Sequence, residues 1–468
     1  MIEFILNNKI IKTDANESIT LVDFIRDDKG LKGTKIVCRE GDCAACSVLV
    51  GELDVSHNSV KYHTITSCIS PLANAHGKHI VTIEGLNQNH ILTPVQNSIK
   101  NNNATQCGFC TPGFVIAMTN YCLNPSLNSE EQMLDCIGGN ICRCTGYVSL
   151  VKAAKDIISQ TQNKGEKYQL QELISEGFIP EYFAGMALKL ATIEPKIPNN
   201  HSSNIIAGGT DLYVQKADEL LLRNHARFIH SESKSSVKIQ NGKCILSANA
   251  TVSDLFHNPE LIRSIPELHD FLRLVSSEPI RNMAAIAGNF VNASPIADMS
   301  IFCLALDAEL TLQSSKNSRK IRLKDFFLDY KKTALQKDEH ISQIVFNIPN
   351  KSAYFNFEKI SKRRNLDIAT VNSAIYLEIK NDTVLKANIA IGGVAPIPMY
   401  LTKCSEFLIN KEINLGTLKQ LLEILNQEIS PISDVRGTAD YKKLLANQII
   451  KQHFLKLFPD SIKFEEVL

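Results

Sequence analysis

Apolar and polar positions alternate at the start of the chain. Ile2, Phe4 and Leu6 share one face, Asn7-Asn8 offers a turn, and Ile10 and Ile11 follow, which predicts a β-hairpin. The period then lengthens. Leu21, Val22, Phe24 and Ile25 recur at helical spacing behind Thr20, a residue suited to an N-cap. SVLVGELDV and VKYHTITSC read as strands, so the chain to about residue 85 predicts a small mixed sheet with one helix. From 86 the pattern turns helical: LTPVQNSIKNNN, TPGFVIAMTNYCL, SEEQMLDCI and GYVSLVKAAKDII form a short bundle, and the polar run 159–169 reads as a linker. The rest alternates. RFIH, SVKIQ, KCILSA, AELTLQ and HISQIVFNI are strand-like, and the last hundred residues add SAIYLEI and LKANIAIGGV before a helix-rich tail.

Composition narrows the class. At roughly 100–200 residues per domain, 468 residues predict about three domains. Apolar residues at 44% and a net charge of +1 describe an ordinary globular chain, with no charge excess to suggest nucleic acid or an anionic membrane as partner. The start MIEFILNNKI lacks the long apolar run of a secretory signal, and no stretch nears the ~18 apolar residues of a membrane span. A soluble, cytoplasmic protein is expected, in which thiols stay reduced.

That expectation bears on the 13 cysteines. CREGDCAAC gathers Cys38, Cys43 and Cys46 within nine residues, and Cys68 lies one strand pair further on. Disulfides, zinc and an iron–sulfur cluster all use such thiols. A reducing compartment disfavours disulfides. Four-cysteine zinc sites usually show two short pairs, whereas three plus one is the plant-type spacing of a 2Fe-2S cluster. Small residues, Gly41, Ala44 and Ala45, let the backbone approach the cluster's sulfurs. The second set, Cys107-x2-Cys110 and Cys142-x-Cys144, places each pair at the start of an expected helix, with Pro112 near the first helical position. Two helix N-termini would favour an anionic tetrathiolate site. Spacing leaves zinc open here beside a second 2Fe-2S cluster. Cys122, Cys136, Cys244, Cys303 and Cys404 are isolated in apolar surroundings and read as small core residues.

Two further stretches suit an anionic cofactor. IIAGGTDL (205–212) sets Gly208 and Gly209 between a strand and a helix, where backbone N–H groups can touch a pyrophosphate, although a tight structural turn reads the same way. It is not a GxGxxG fingerprint, so no nicotinamide Rossmann domain is indicated. In 280–300, Gly288 permits close approach, Asn289, Asn292 and Ser294 can donate to phosphate, and Asp298 can accept from sugar hydroxyls; a polar helix-capping loop reads equally well.

Together, CREGDCAAC, QCGFCTPG and GNICRCTGY resemble the iron–sulfur part of molybdenum hydroxylases, among them xanthine dehydrogenase, aldehyde oxidase and carbon monoxide dehydrogenase, and the likeness extends over essentially the whole chain. It implies a multidomain α+β fold: a β-grasp ferredoxin domain (1–85), a helical-bundle 2Fe-2S domain (86–160), an α+β FAD-binding domain of PCMH type (178–355) and an α+β C-terminal flavoprotein domain like that of CO dehydrogenase (360–468). It implies two 2Fe-2S clusters, on Cys38, Cys43, Cys46 and Cys68 and on Cys107, Cys110, Cys142 and Cys144, and an FAD. The FAD positions would be Ile205, Ala207, Gly208, Gly209, Thr210, Asp211 and Leu212, then Ala285, Gly288, Asn289, Asn292, Ser294 and Asp298. EKISKRRNLDIA (358–369) resembles the flavin-proximal segment of xanthine dehydrogenase. There Lys359 would lie near the isoalloxazine and Asp367 beside the flavin and NAD site, while Lys362, Arg363 and Arg364 also suit a plain solvated face. GGVAP (392–396) and VRGTADYKKLLA (435–446) would cover the flavin.

The chain departs from the family at Ala44, where Gly is usual; at Gly138, where Ser is frequent; and at Val275, where some members stack a Phe on the flavin. The resemblance further implies an electron-transfer subunit of xanthine dehydrogenase that holds no catalytic residue itself. Electrons from hypoxanthine or xanthine oxidation would pass from a molybdopterin-binding large subunit through both clusters to FAD and NAD+, in a dimer of heterodimers. The same component of an aldehyde or N-heterocycle dehydrogenase is the rival enzyme reading, and a zinc-bearing scaffold the non-enzyme one.

Overall fold

The computed structural model describes residues 1–467 apart from 55–58, 88–90, 125–126, 162–169, 195–204, 223–225, 230–235, 351 and 364–365. The chain falls into two compact units: Met1–Lys234 with Ser277–Ala284, and Ser235–Ser276 with Ala285–Leu468. Most of the expected linker, and Arg364, lie outside the described residues.

The first unit opens with the expected hairpin. Ile2–Leu6 pairs antiparallel with Lys9–Thr13, and Asn7 makes the turn at φ 54°, a conformation Asn tolerates well. Strand Ile2–Leu6 also runs parallel to His79–Val81, which joins Ser47–Asp54 and Ser59–Thr66 in a five-stranded mixed sheet. Thr20 caps the helical turn as expected, its hydroxyl accepting from the Asp23 amide at 3.3 Å. Phe4, Leu6, Leu21, Phe24, Val48 and Ile80 fill the core beneath the sheet.

The four expected helices follow, at Pro94–Asn101, Thr111–Leu123, Glu130–Ile137 and Val148–Thr161. Thr93 and Ser129 close capping boxes with Gln96 and Gln132. All ten residues from Gly113 to Cys122 of helix Thr111–Leu123 are buried; it packs on Glu130–Ile137, Pro94–Asn101 and strands Ser47–Asp54 and Ser59–Thr66, while Val148–Thr161 packs on Pro94–Asn101 and Glu130–Ile137. The segment Ser277–Ala284 is spliced onto this unit from far along the sequence. Asn282 donates to the Thr64 carbonyl at 2.8 Å and Asn120 donates to Glu278 at 2.9 Å, so it touches both the sheet and the central helix.

The second unit holds a five-stranded antiparallel sheet, ordered Ser318–Arg322, Glu309–Gln313, His340–Asn347, Lys243–Ser247 and Val237–Gln240. A four-stranded antiparallel sheet follows, Ala353–Ile360, Val371–Lys380, Thr383–Gly392 and Met399–Tyr400. Helices Thr402–Leu408, Leu415–Glu428 and Ala439–Leu457 pack on it around Ile375, Leu377, Ile389, Leu421 and Phe454. No helix among the described residues is long and apolar enough to cross a membrane.

Candidate cluster and flavin sites

The first thiol loop curls because its backbone enters the left-handed region three times, at Arg39 (φ 57°), Gly41 (φ 77°) and Ala44 (φ 50°). Gly41 needs both its conformational freedom and its lack of a side chain, since a Cβ there would lie 2.6 Å from Ile69. Ala44 bears a left-handed cost on the order of 1 kcal/mol. The curl turns amides inward: that of Glu40 donates to the Cys38 sulfur at 3.4 Å, that of Ala45 to Cys43 and that of Gly41 to Cys68. Cys46 and Cys68 are buried, and Cys38 and Cys43 half-buried. The thiols also bond one another, Cys38 with Cys43 and Cys68, and Cys46 with Cys68. Those bonds hold the Cys38 and Cys46 thiols below the ordinary range and push Cys43 and Cys68 above it. Arg39 is fixed from outside by a two-pronged ion pair to Asp23, at 2.7 and 3.0 Å.

The second set meets as two pairs. The Cys144 and Cys107 sulfurs are 3.6 Å apart, and Cys110 bonds Cys142. Burial and the neighbouring Cys142 push the Cys110 thiol up to about 12. Burial also raises Cys142, but hydrogen bonds from the Thr145 hydroxyl (3.1 Å) and amide (3.5 Å) outweigh it. Cys110 is the N-cap of helix Thr111–Leu123, with Pro112 at the second rather than the first helical position. The other pair departs from expectation. Gly146 (φ 60°) and Tyr147 (φ 67°) turn left-handed, so the helix starts only at Val148 and Cys142 and Cys144 sit in the preceding turn. Tyr147 steadies that turn by accepting from the Cys142 amide at 3.1 Å. Cys107 and Cys144 are exposed, and Phe109, Ile141, Tyr147 and Val148 expose apolar surface beside them.

Both sites suit a binuclear cluster. Among the described residues no three His, Cys, Asp or Glu side chains converge as tightly as a single ion needs. The first set associates as a chain of four thiols and the second as two pairs, and either grouping would supply the four cysteine ligands of a 2Fe-2S cluster. The two loops are also joined, because the Ile141 amide donates to the Cys43 carbonyl at 3.1 Å and so links a loop of each set. Sequence reading missed this contact, which spans 98 residues without a side-chain signal. The five remaining cysteines are buried, in keeping with a core role.

The expected strand–GG–helix runs from Ile205–Ile206, paired parallel to Arg227–Phe228, through 207–211 to helix Leu212–Gln215. A Cβ on Gly208 would fall 1.8 Å from the Met283 carbonyl, and Gly209 has φ 83°, so neither position accepts a side chain. Asn74 donates to the Ala207 carbonyl at 3.2 Å and Tyr213 to the Ser18 carbonyl at 2.8 Å, which ties the loop to the ferredoxin-type fold.

In the second unit, Ala285 caps helix Ile286–Asn292 and Asp298 opens helix Asp298–Ala305. The face of Gly288 is open, with only the Ala285 methyl within 4 Å of a would-be Cβ, leaving room for a bound group. Asn289 accepts from Ser300 at 3.3 Å, and Lys331 donates to the Asn292 carbonyl and side chain at 2.8 and 2.7 Å. Ser294 is half-buried and Val275 buried. Lys359 and Asp298, 61 residues apart, form a buried ion pair at 2.7 Å. Lys359 stands opposite Asn372 across two strands, and Asn372 donates to the other Asp298 oxygen at 2.6 Å. Asp298 is thus engaged on both oxygens. Arg363 and Asp367 bond within their own loop. A cleft of about 210 Å³ in this unit, lined by Tyr376, Glu378, Lys386 and Asn388 among others, contains none of these residues.

Comparison with known proteins covers nearly the whole chain. Residues 4–73 match the 2Fe-2S iron-sulfur cluster binding domain and 82–155 a 2Fe-2S binding domain. Residues 186–351 match the FAD binding domain in molybdopterin dehydrogenase, and 356–457 the CO dehydrogenase flavoprotein C-terminal domain. Xanthine dehydrogenase 1 of Arabidopsis thaliana is 27% identical over 94% of this chain and 38% of its own length. Xanthine dehydrogenase of Emericella nidulans is 28% identical over 95% and 38%. The chain therefore spans little more than a third of these curated relatives. A carbon monoxide dehydrogenase structure from Hydrogenophaga pseudoflava shares the fold at a TM-score of 0.50 and 22% identity, over 55% of this chain and 90% of that one. With two 2Fe-2S domains, an FAD-binding domain and the C-terminal flavoprotein domain in one order, the chain belongs to the molybdenum hydroxylase family.

Proposed function

We propose that the chain is the iron–sulfur and FAD component of a cytoplasmic xanthine dehydrogenase-type oxidoreductase, working beside a molybdopterin-binding partner that oxidises hypoxanthine or xanthine, with NAD+ as the final acceptor. When bound, two 2Fe-2S clusters carry single electrons and FAD holds two for delivery as hydride. The observation that carries this reading is the pair of thiol sets in contiguous loops, joined by the Ile141–Cys43 hydrogen bond.

The chain's own residues supply the rest. Cys38, Cys43, Cys46 and Cys68 hold the inner cluster, and the amides of Glu40, Gly41 and Ala45 offset its negative charge. Cys107, Cys110, Cys142 and Cys144 hold the outer one. The exposed Cys107 and Cys144, beside Phe109 and Val148, give the face on which the partner would seat. The backbone at Ala207–Asp211, with Ile205 and Leu212 at its ends, would take the flavin pyrophosphate. Ala285, Gly288, Asn289, Asn292 and Ser294 would line the flavin through helix Ile286–Asn292 and the turn after it. The Lys359–Asp298 pair would present a fixed dipole toward it.

The test is spectroscopic, then enzymatic. Purified protein should contain iron and flavin in a ratio of about four to one, as two binuclear clusters and one FAD require. Co-expressed with its molybdopterin partner, it should reduce NAD+ on addition of xanthine. A colourless protein would overturn the relay reading. Full metal and flavin without xanthine-dependent reduction would transfer the same component to an aldehyde or N-heterocycle dehydrogenase.

A further inference from the structure

Three ligand-bearing segments meet at one oxygen atom. Ala44 lies between ligands Cys43 and Cys46, fully buried, with left-handed backbone. Its carbonyl accepts from the Ser47 amide at 3.2 Å, the Ser47 hydroxyl at 2.8 Å and the Asn140 side-chain amide at 3.3 Å. Asn140 stands two residues before Cys142. Gly113, three residues after Cys110, closes the approach: a Cβ there would fall 2.4 Å from the Ala44 oxygen and 2.9 Å from the Asn140 nitrogen. Behind them Ser277 abuts Gly139, where a Cβ would lie 2.8 Å from its own. The other Asn140 polar atom, Oδ1, is buried with no hydrogen-bond partner among the described residues. A buried acceptor left unpaired costs about 1–3 kcal/mol, so the side chain is not retained for its own hydrogen-bond balance.

From this geometry we infer that Asn140 is a positioning residue that sets the spacing and relative orientation of the two clusters by anchoring the Ala44 carbonyl, with Gly113 supplying the clearance. The inference rests on the relay reading. Each cluster is held by its own cysteines, so loss of the Asn140 anchor leaves both assembled but lets the Ala44 loop shift against the Cys142 turn. The Asn140 side chain donates to the Ala44 carbonyl rather than to a cysteine sulfur, and its effect is therefore on the pair and not on either member.

The experiment uses the full chain with its clusters and FAD, in wild-type form and as Asn140→Asp, Asn140→Ala and Gly113→Ala. Asp keeps the shape and removes the donor, Ala removes the side chain, and Gly113→Ala forces the carbonyl aside. Iron content and the paramagnetic resonance signal of each reduced cluster should be retained. The magnetic splitting between the two reduced clusters should shrink in all three, and electron equilibration between them after a flash of reductant should slow. Asn140→Gln, which keeps the donor, should recover part of the splitting. Should Gly113→Ala fail to fold, the two Asn140 variants decide alone. Unchanged splitting and rate in iron-replete Asn140→Asp and Asn140→Ala would overturn the inference, as would loss of iron without any change in splitting among the loaded molecules. Wild-type protein that shows no cluster signals would instead overturn the relay reading itself.

Discussion

Around Cys38–Cys68 the chain buries two cysteines and half-buries the other two; around Cys107–Cys144 it leaves two of the four at the surface. The inner loop is made by main-chain curvature, with left-handed residues at 39, 41 and 44 and amides aimed at the thiols. The outer site is made by a helix N-cap, Cys110, and a turn steadied by Thr145 and Tyr147. The inner loop is costly to bend but shielded, as suits an intermediate carrier. The outer one, with its own left-handed turn at Gly146 and Tyr147, stays reachable, as the proposed relay would need at its point of entry.

The sharpest way to break this contrast is to remove one ligand from each. Cys46→Ser should abolish the inner cluster and lower the melting temperature steeply, because binding at a buried site is folding energy for the surrounding sheet. Cys107→Ser should abolish only the outer signal, with a melting temperature close to the parent's. Iron analysis with calorimetry reads both, and equal losses of stability would end the distinction.

A smaller difference should appear with acid. His79 belongs to the ferredoxin-type sheet, buried between the Tyr62 hydroxyl and the Asn7 carbonyl at 2.8 Å each. Burial lowers its pKa from 6.5 to about 4. The unfolded chain then binds more protons between those values, so stability present above pH 6.5 is lost as pH falls toward 4, by about 3 kcal/mol at most. The stretch 107–144 that carries the second thiol set contains no histidine, and the one histidine of its domain, His90, lies outside the described residues. Denaturant melts from pH 7 to 4 should show the inner cluster failing first, and His79→Gln should flatten that dependence. Parallel curves for the two proteins would refute the assignment to His79. The smallest effect belongs to Ala44→Gly, which relieves the left-handed strain and should raise stability by no more than about 1 kcal/mol. A fall in melting temperature would mean that the buried methyl contributes more than the strain costs.

Local chemistry was the legible part. The hairpin turn at Asn7, the Thr20 cap, four helices and both cysteine groupings follow from spacing and short-range preference, and the structure has them. Misreadings came where neighbours in space are distant in sequence, or where a turn overrides a pattern. GYVSLVKAAKDII looked helical from its first glycine, yet Gly146 and Tyr147 form a left-handed turn that delays the helix to Val148. Strand Ser318–Arg322 was passed over because its polar sequence shows no apolar alternation; its place comes from pairing with Glu309–Gln313 and from the Arg319–Glu339 ion pair at 2.7 Å. The partners of Asp298, Lys359 and Asn372, lie 61 and 74 residues away, and nothing in the local sequence announces them. Ser277–Ala284 falls inside the stretch that matches the FAD-binding domain, yet it packs with the first unit, a placement that spacing alone does not carry.

The bond between Ile141 and Cys43 is made wholly of main-chain atoms. Mutation can therefore change the side chain at 141 almost freely without touching it, and only proline, which has no amide hydrogen, deletes the donor. The connection is buffered against drift: lineages can vary the surface residue to suit new partners while the wiring beneath is inherited unchanged.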